Sequence, residues 1–113
     1  MSSEPLQITE LTSSAEGTRI FRLAGPLVLS NVFGFQAKVR EDNSRALILD
    51  FTEVPLIDSA GIGALVGAYV TRQKDDRRLA LVAVNQRIHN ALEVTRVESL
   101  FRFFDSVAEA EQA

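Results

Sequence analysis

The chain has 113 residues and a net charge of −3, with 46% hydrophobic and 24% charged residues. This composition is typical of one globular domain with a single core rather than of a disordered or membrane-embedded chain, so we expect one domain over residues 1–113. There is no cysteine and only one histidine, which excludes disulfides and cysteine-ligated metals, and we predict neither a metal nor a cofactor. The first residues lack the pattern of a signal peptide, so we expect a cytoplasmic protein with no membrane insertion.

The chain opens with the pattern of a β-hairpin. Leu6, Ile8 and Leu11 predict a first strand, Ile20 to Ala24 predict a second, and the turn between them falls at Ala15 to Thr18. The two strands are therefore expected to pair before the first helix begins.

A helix is expected after Gly25-Pro26 ends the second strand, with Ser30 as its cap. It is predicted to run to about Asp42. Its apolar face is formed by Val32, Phe35, Gln36 and Val39. Phe33 lies beside that face. It could be an exposed contact residue for a partner, but we expect it to be buried at a broad start of the helix.

The central stretch, Ala46 to Val70, predicts a buried strand, a loop and a helix. The apolar run of the strand ends at Asp50, Pro55 marks the loop, and Asp58-Ser59 marks the start of the helix. One helical stripe is formed by Ile62, Leu65, Val66 and Tyr69.

The last third of the chain repeats the alternation of strand and helix. We predict a strand at Leu79 to Val84, a helix capped by Asn85, a short strand at Leu100 to Phe104 and a terminal helix from Ser106 to about Glu111. The face of the helix after Asn85 is formed by Ile88, Ala91, Leu92 and Thr95. His89 lies off that face, and we expect a surface pair with Glu93, four residues on.

Strands joined by helices are expected to be parallel, so the pattern predicts an α/β fold: a mixed, mostly parallel central sheet of about five strands with helices packed on it. Ligands in such folds bind beyond the carboxyl ends of the strands. Asp50, Asp58 and Ser59 are expected near that edge. The densest basic stretch, Arg72 to Arg78, is interrupted by acidic residues and predicts a solvated loop, so we expect no direct contact with nucleic acid.

Ser59 stands where a helix offers unpaired N–H groups and the positive end of its dipole. A phosphate on this serine would be compatible with the fold and would repel a partner docked on that surface, so Ser59 is a candidate switch. The alternative is that Asp58 or Ser59 simply caps the helix.

Gly61, Gly63 and Gly67 lie inside the same helix, where each costs about 0.5–1 kcal/mol relative to alanine. They permit the close approach of another backbone, from this chain or from a partner. We expect tight internal packing at Gly67 more than at Gly61, which lies beside Ser59.

These residues resemble the signature of the STAS domain, the family of bacterial anti-sigma factor antagonists and stressosome scaffold proteins. The match is carried by Leu49-Asp50-Phe51, Val54, Ile57-Asp58-Ser59-Ala60-Gly61-Ile62-Gly63 and Leu65. Gly25 and Leu27 lie where the family has a Gly-Glu-Leu-Asp turn. The family's later strand-helix-loop pattern is similar to the one formed here by Asn85, Ile88, Leu92, Leu100 and Phe101.

The resemblance implies a non-catalytic switch. The unphosphorylated protein would bind an anti-sigma factor that is also a serine kinase, phosphorylation of Ser59 would end that binding, and a serine phosphatase would restore it. The implied partner-binding residues are Asp58, Ser59, Gly61 and Ile62, with Asp50 as a further member. At the turn, Pro26 and Val28 replace the acidic residues of the family.

Two other functions stay open. Ser59 and Gly61 form half of a Gly-x-Ser-x-Gly nucleophile elbow, but Ile57 replaces the first glycine and His89 is the one available base, so we expect no enzyme and no catalytic residue.

STAS-like subunits also occur in lipid or anion transport systems, where the helix packs on a transporter ATPase, and in stressosomes. Dimerisation through the first strand or the glycine-rich helix is also open.

Overall fold

The computed structural model describes residues 5–113, which form a five-stranded sheet with helices on both faces. The strands are β1 (Gln7–Thr12), β2 (Thr18–Ala24), β3 (Ala46–Glu53), β4 (Arg78–Val82) and β5 (Arg102–Phe104). The helices are α1 (Val32–Glu41), α2 (Ser59–Lys74), α3 (Gln86–Val94) and α4 (Val107–Glu111), and a single 3₁₀ turn, Glu98–Leu100, precedes β5. The predicted α/β fold is confirmed.

The strands lie in the order β1-β2-β3-β4-β5, so every strand pairs with its neighbour in sequence. β1 and β2 are antiparallel, as expected for a hairpin, and the other pairs are parallel. The connection between two neighbouring parallel strands is right-handed. Because β2 to β5 follow one another in a single direction across the sheet, the helices that connect them lie on the same face. The main core accordingly combines residues of α1, α2 and α3, such as Phe35, Leu65 and Ile88.

β3 is buried on both faces because it lies at the centre of the sheet. Leu47, Leu49 and Phe51 point into the main core, and Ile48 points into a second, smaller cluster on the opposite face. That second cluster includes residues of α4. Asp50 alternates with Leu49 and Phe51 and therefore shares the face of Ile48.

The buried face of α2 differs from the predicted stripe. The residues of α2 that are buried are Gly61, Ala64, Leu65, Ala68 and Arg72. Of the predicted stripe, Leu65 is buried, whereas Ile62, Val66 and Tyr69 are partly buried and pack against the margin of the core. The small residues Gly61, Ala64 and Ala68 at the centre of the buried face let α2 lie close to the neighbouring elements. The larger residues Ile62, Val66 and Tyr69 therefore lie at the margin of that face.

Arg72 is not part of a solvated loop, and that prediction is wrong. It lies in the last turn of α2 with 2% of its surface exposed, and its Nη1 donates to Oδ2 of the buried Asp42 at 3.1 Å. Its other nitrogens donate to the carbonyl oxygens of Ser44 and Arg78. Burial lowers the pKa of Arg72 from its usual value, and the Asp42 carboxylate opposes that shift. This pair joins the ends of α1 and α2.

The start of α1 also differs from the prediction. Asn31, not Ser30, occupies the N-cap position, and its side chain accepts from the Val28 N–H and donates to the Pro26 carbonyl. Phe33, expected to be buried, is 71% exposed. The helix buries Val32, Phe35 and Val39 instead, so Phe33 falls on its outer side.

Candidate functional site

Asp58 is the N-cap of α2, and its carboxylate joins two segments. Oδ1 accepts from the Gly61 N–H at 2.9 Å, as a capping side chain does, and Oδ2 accepts from the Leu29 N–H at 3.0 Å. The Asp58 N–H in turn donates to the Leu27 carbonyl. The carboxylate therefore fixes the loop before α1 against the start of α2, and the cap that the sequence left open between Asp58 and Ser59 belongs to Asp58.

Ser59 is the first residue of α2 and is exposed. Its hydroxyl makes no hydrogen bond with the part of the chain that the structure describes, and the side-chain cap of the helix comes from Asp58. The first N–H groups of a helix and its dipole favour negative charge at this position. The site therefore presents a free serine hydroxyl where an added phosphate would be electrostatically favourable for the helix.

Gly61 packs inside the domain, contrary to the expectation that Gly67 would do so. A Cβ built on Gly61 would lie 2.2 Å from the Leu27 carbonyl oxygen, whereas nothing lies within 4 Å of a Cβ on Gly63 or Gly67. Gly61 is buried, and Gly63 and Gly67 are exposed on the outer side of α2. Gly61 thus shapes the site by admitting the loop before α1, and the other two leave the helix surface bare.

The structure brings Ile62 to the site but not Asp50. Ile62 is half-buried one turn after Asp58 and packs against the main core. Asp50 lies on the other face of the sheet, where its carboxylate accepts from the N–H and hydroxyl of Thr52 and lies 3.9 Å from the Arg22 guanidinium. The side-chain alternation along β3 separates it from α2.

Two exposed residues beside the site were missed or misjudged from the sequence. Leu29, bonded through its N–H to Asp58, is 63% exposed, and Phe33 in the first turn of α1 is 71% exposed. α1 and α2 both begin at the carboxyl edge of the sheet, so these side chains lie at the same edge as Ser59. The sequence feature that could have indicated the exposure of Phe33 is its position outside the apolar face predicted for this helix.

The STAS domain family model matches residues 11–110. This chain belongs to the STAS family. An anti-sigma-B factor antagonist of Staphylococcus aureus is 29% identical over 62 residues, which cover 55% of this chain and 57% of that protein. The match therefore spans little more than half the length of that relative.

Solved structures confirm the STAS fold over nearly the whole chain. A candidate anti-sigma factor antagonist from Thermotoga maritima superposes with a TM-score of 0.85 at 19% identity, covering 93% of this chain and 92% of that one. Bacillus SpoIIAA in its phosphorylated form gives 0.71 at 18% identity, covering 94% and 97%. A sulfate transporter family protein from Wolinella succinogenes gives 0.74 at 26% identity, covering 89% and 87%.

His89 of this STAS domain lies in a different environment from the predicted one. Its Nδ1 is 2.9 Å from Oε2 of Glu98, not of Glu93, and its ring lies 4.3 Å from that of Phe103. The imidazole is thus held between the 3₁₀ turn and β5. Neither contact involves Ser59, so the described hydrogen bonds do not form the serine–histidine pair of a hydrolase.

Within residues 5–113, none of the helices combines the length and the apolarity that crossing a membrane requires. The same part of the chain holds no group of three or more acidic or histidine side chains arranged to bind a metal ion.

Proposed function

We propose that this STAS domain is a phosphorylation-switched protein-binding module of the cytoplasm that acts as an anti-sigma factor antagonist. With Ser59 unmodified it binds an anti-sigma factor that is also a serine kinase, and so controls transcription indirectly. Phosphorylation of Ser59 by that kinase ends the complex, and a serine phosphatase restores it. The domain itself is not an enzyme.

The observation that carries this proposal is the division of roles between Asp58 and Ser59. Because the carboxylate of Asp58 caps the helix through Gly61, the exposed Ser59 hydroxyl is free for modification. A phosphate would lie near the positive end of α2, so the fold would accept it. The name of the Staphylococcus aureus relative and the phosphorylated form of Bacillus SpoIIAA support the same function.

The test begins with the intact mass of the purified protein after incubation with ATP and an extract of its source organism. We expect wild type and Ser30→Ala to gain one phosphate and Ser59→Ala to gain none; Ser30 is a matched control because it is also exposed and belongs to the neighbouring loop. The kinase is then purified from the extract, and its binding to both forms of the protein is measured. If a known kinase substrate is phosphorylated in the extract and this protein is not, the switch is wrong.

A second candidate is a constitutive subunit of a transport complex, which the match to the Wolinella succinogenes protein favours. In that case the helix that starts at Ser59 would pack on a transporter component, and Ser59 would need no modification. Co-purification of the tagged protein from its source organism with a transporter ATPase, without phosphate on Ser59, would favour this candidate over the first.

A further inference from the structure

The two faces of the sheet are covered very unequally. Three helices, α1, α2 and α3, pack on the face that holds the main core. Of the helices within residues 5–113, only α4 contributes side chains to the second cluster, through Val107 and Ala110. The buried residues of that cluster are Ile20, Ile48 and Val82, each no more than 5% exposed, and they are called the apolar strip below. The helical cover of the apolar strip is thus only five residues long.

α4 is held more weakly than the other helices. It contains no buried residue, whereas each of the other three α-helices has at least two. A helix this short is not stable in isolation, so it stays folded only while it is docked. A cavity of about 30 Å³ lies beneath it, lined in part by Ile48, Ala80, Phe104 and Ala110, so the helix does not fill the space above the strands. Elements with few buried contacts open at a lower free energy than the core does.

One carboxylate ties the end of α4 to the turn between β1 and β2. Oε2 of Glu111 accepts from the hydroxyl of Ser13, and it lies 3.3 Å from the nitrogen and 3.4 Å from the hydroxyl oxygen of Ser14. The turn also has a hydrogen bond of its own, because the Ser13 hydroxyl oxygen accepts from the Ala15 N–H at 3.0 Å. The donors of this turn therefore form a site for one carboxylate that stays in place when Glu111 leaves.

The charge around the apolar strip favours an acidic helix. Arg78 and Arg102 are exposed beside α4 and line the cavity beneath it. The guanidinium of Arg102 lies 5.4 Å from the ring centroid of Phe104. Neither arginine forms an ion pair with a side-chain carboxylate of residues 5–113. The segment that ends in α4 matches this environment, since residues 105–113 include acidic residues and no basic one.

We propose that α4 is a releasable cover and that the apolar strip binds an acidic amphipathic helix of a partner protein in its place. The partner helix lays small apolar side chains on the strip, as Val107 and Ala110 do, and places a carboxylate at the donors of the β1–β2 turn. Its remaining acidic side chains face Arg78 and Arg102. The apolar strip lies on the face of the sheet opposite to α2, so this surface is separate from Ser59 and its function goes beyond the switch.

The first test measures how α4 opens, by amide hydrogen exchange of the full chain. We expect the Ala110 N–H, which donates to the Ser106 carbonyl, to exchange at least about a hundredfold faster than the Ile48 N–H at the centre of the sheet. Glu111→Ala should speed exchange at Ala110 by about a further tenfold and leave Ile48 unchanged. Glu109→Ala is the matched control, because its carboxylate accepts from Ser106 and not from the turn, and it should change the rate by less than about threefold. Equal exchange at Ala110 and Ile48, or equal effects of the two variants, would overturn the proposal.

The second test uses a probe peptide with the sequence of residues 105–113 and the full chain carrying Val107→Asp, whose own α4 cannot pack on the apolar strip. We expect the peptide to shift the methyl NMR signals of Ile48 in this variant. It should bind wild type at least about tenfold more weakly, because the intact α4 competes. A control peptide with Glu109→Lys and Glu111→Lys should bind Val107→Asp at least about tenfold more weakly than the acidic peptide does. Unmoved methyl signals, or equal binding of the two peptides, would contradict the assignment.

Two further measurements separate the alternatives. A cooperative thermal transition shows that Val107→Asp is folded, and if the transition is lost, Glu111→Ala replaces it as the host for the peptide. Sedimentation at the NMR concentration is expected to show that wild type and Val107→Asp are both monomeric. A wild type that dimerises while Val107→Asp stays monomeric would mean that the strip holds the α4 of a second copy, and the assignment to a partner protein would be wrong. Since neither test involves Ser59, the releasable cover and the phosphorylation switch can fail separately.

Discussion

The Leu27 carbonyl oxygen lies where a side chain on Gly61 would begin, 2.2 Å from the position of a Cβ. This close approach explains why a helix carries glycine in its first turn at a cost in conformational entropy. The loop before α1 can reach the start of α2 only if residue 61 has no side chain. The arrangement of Ser59 relative to Leu29 therefore depends on Gly61.

Gly61→Ala is expected to destabilise the protein by at least about 2 kcal/mol, because the methyl group would displace backbone atoms rather than a flexible side chain. Gly67→Ala is the matched control in the same helix. Since its Cβ would meet nothing within 4 Å, it should stabilise by about 0.5–1 kcal/mol through helix propensity. Urea unfolding measures both changes. Similar effects at the two positions would contradict the close packing at Gly61.

Arg72→Met is expected to lower the free energy of unfolding by about 3–5 kcal/mol, because it leaves the buried Asp42 carboxylate without its cation. Lys38→Met is the control, since it removes an exposed pair with Glu10 and should cost far less than the loss of the buried pair. Both values come from chemical denaturation at neutral pH. A loss at Arg72 as small as that at Lys38 would show that Asp42 is solvated when its partner is removed.

Local signals in the sequence predicted the start of α2 and the order of the elements. Pro55, the capping Asp58 and the change to helical spacing after Ser59 all act within a few residues, so they are readable without the fold. The burial of Arg72 was not readable from local sequence, because its partner Asp42 lies thirty residues earlier in the chain. An arginine among other charges has the same local pattern whether it is buried or solvated.

The face of the sheet on which Asp50 lies was readable from the sequence. It follows Leu49 and precedes Phe51, and a strand places alternate residues on opposite faces. Phe33 is a different case, because a phenylalanine favours burial on average and its exposure depends on how α1 packs against the sheet. The exposure of Phe33 is therefore set by tertiary packing, which the local sequence pattern does not record.

Arg96→Gly is expected to stabilise the protein by about 1 kcal/mol. Arg96 follows the C-cap of α3 with a φ of +61°, and the backbone bonds from Arg96 to Glu93 and from Val97 to Leu92 close the helix end. Glycine adopts this conformation without the steric cost that arginine has. Glu93→Gly, placed within the helix, should instead destabilise by about 1 kcal/mol. The melting temperatures of the two variants should therefore shift in opposite directions relative to wild type.

Asp58→Ala is expected to destabilise the protein by about 1–2 kcal/mol, since the N–H groups of Leu29 and Gly61 both lose their acceptor. Ser59→Ala should change stability by less than about 0.5 kcal/mol because its hydroxyl lies at the surface. Urea denaturation of the two variants under one buffer gives the comparison. The opposite ranking would mean that Ser59 is the cap and would remove the structural basis for a free hydroxyl.

Ser59→Glu tests whether the fold accepts negative charge at the switch position. A carboxylate in the first turn interacts favourably with the positive end of α2, so at low salt Ser59→Glu should stabilise by about 0.3–1 kcal/mol and Ser59→Lys should destabilise by a similar amount. The difference should shrink as salt rises, because the position is exposed. If Ser59→Glu is as stable as expected and fails to bind the kinase, loss of binding reflects a change at the surface. A destabilised Ser59→Glu would instead indicate that phosphorylation acts by disturbing the start of α2.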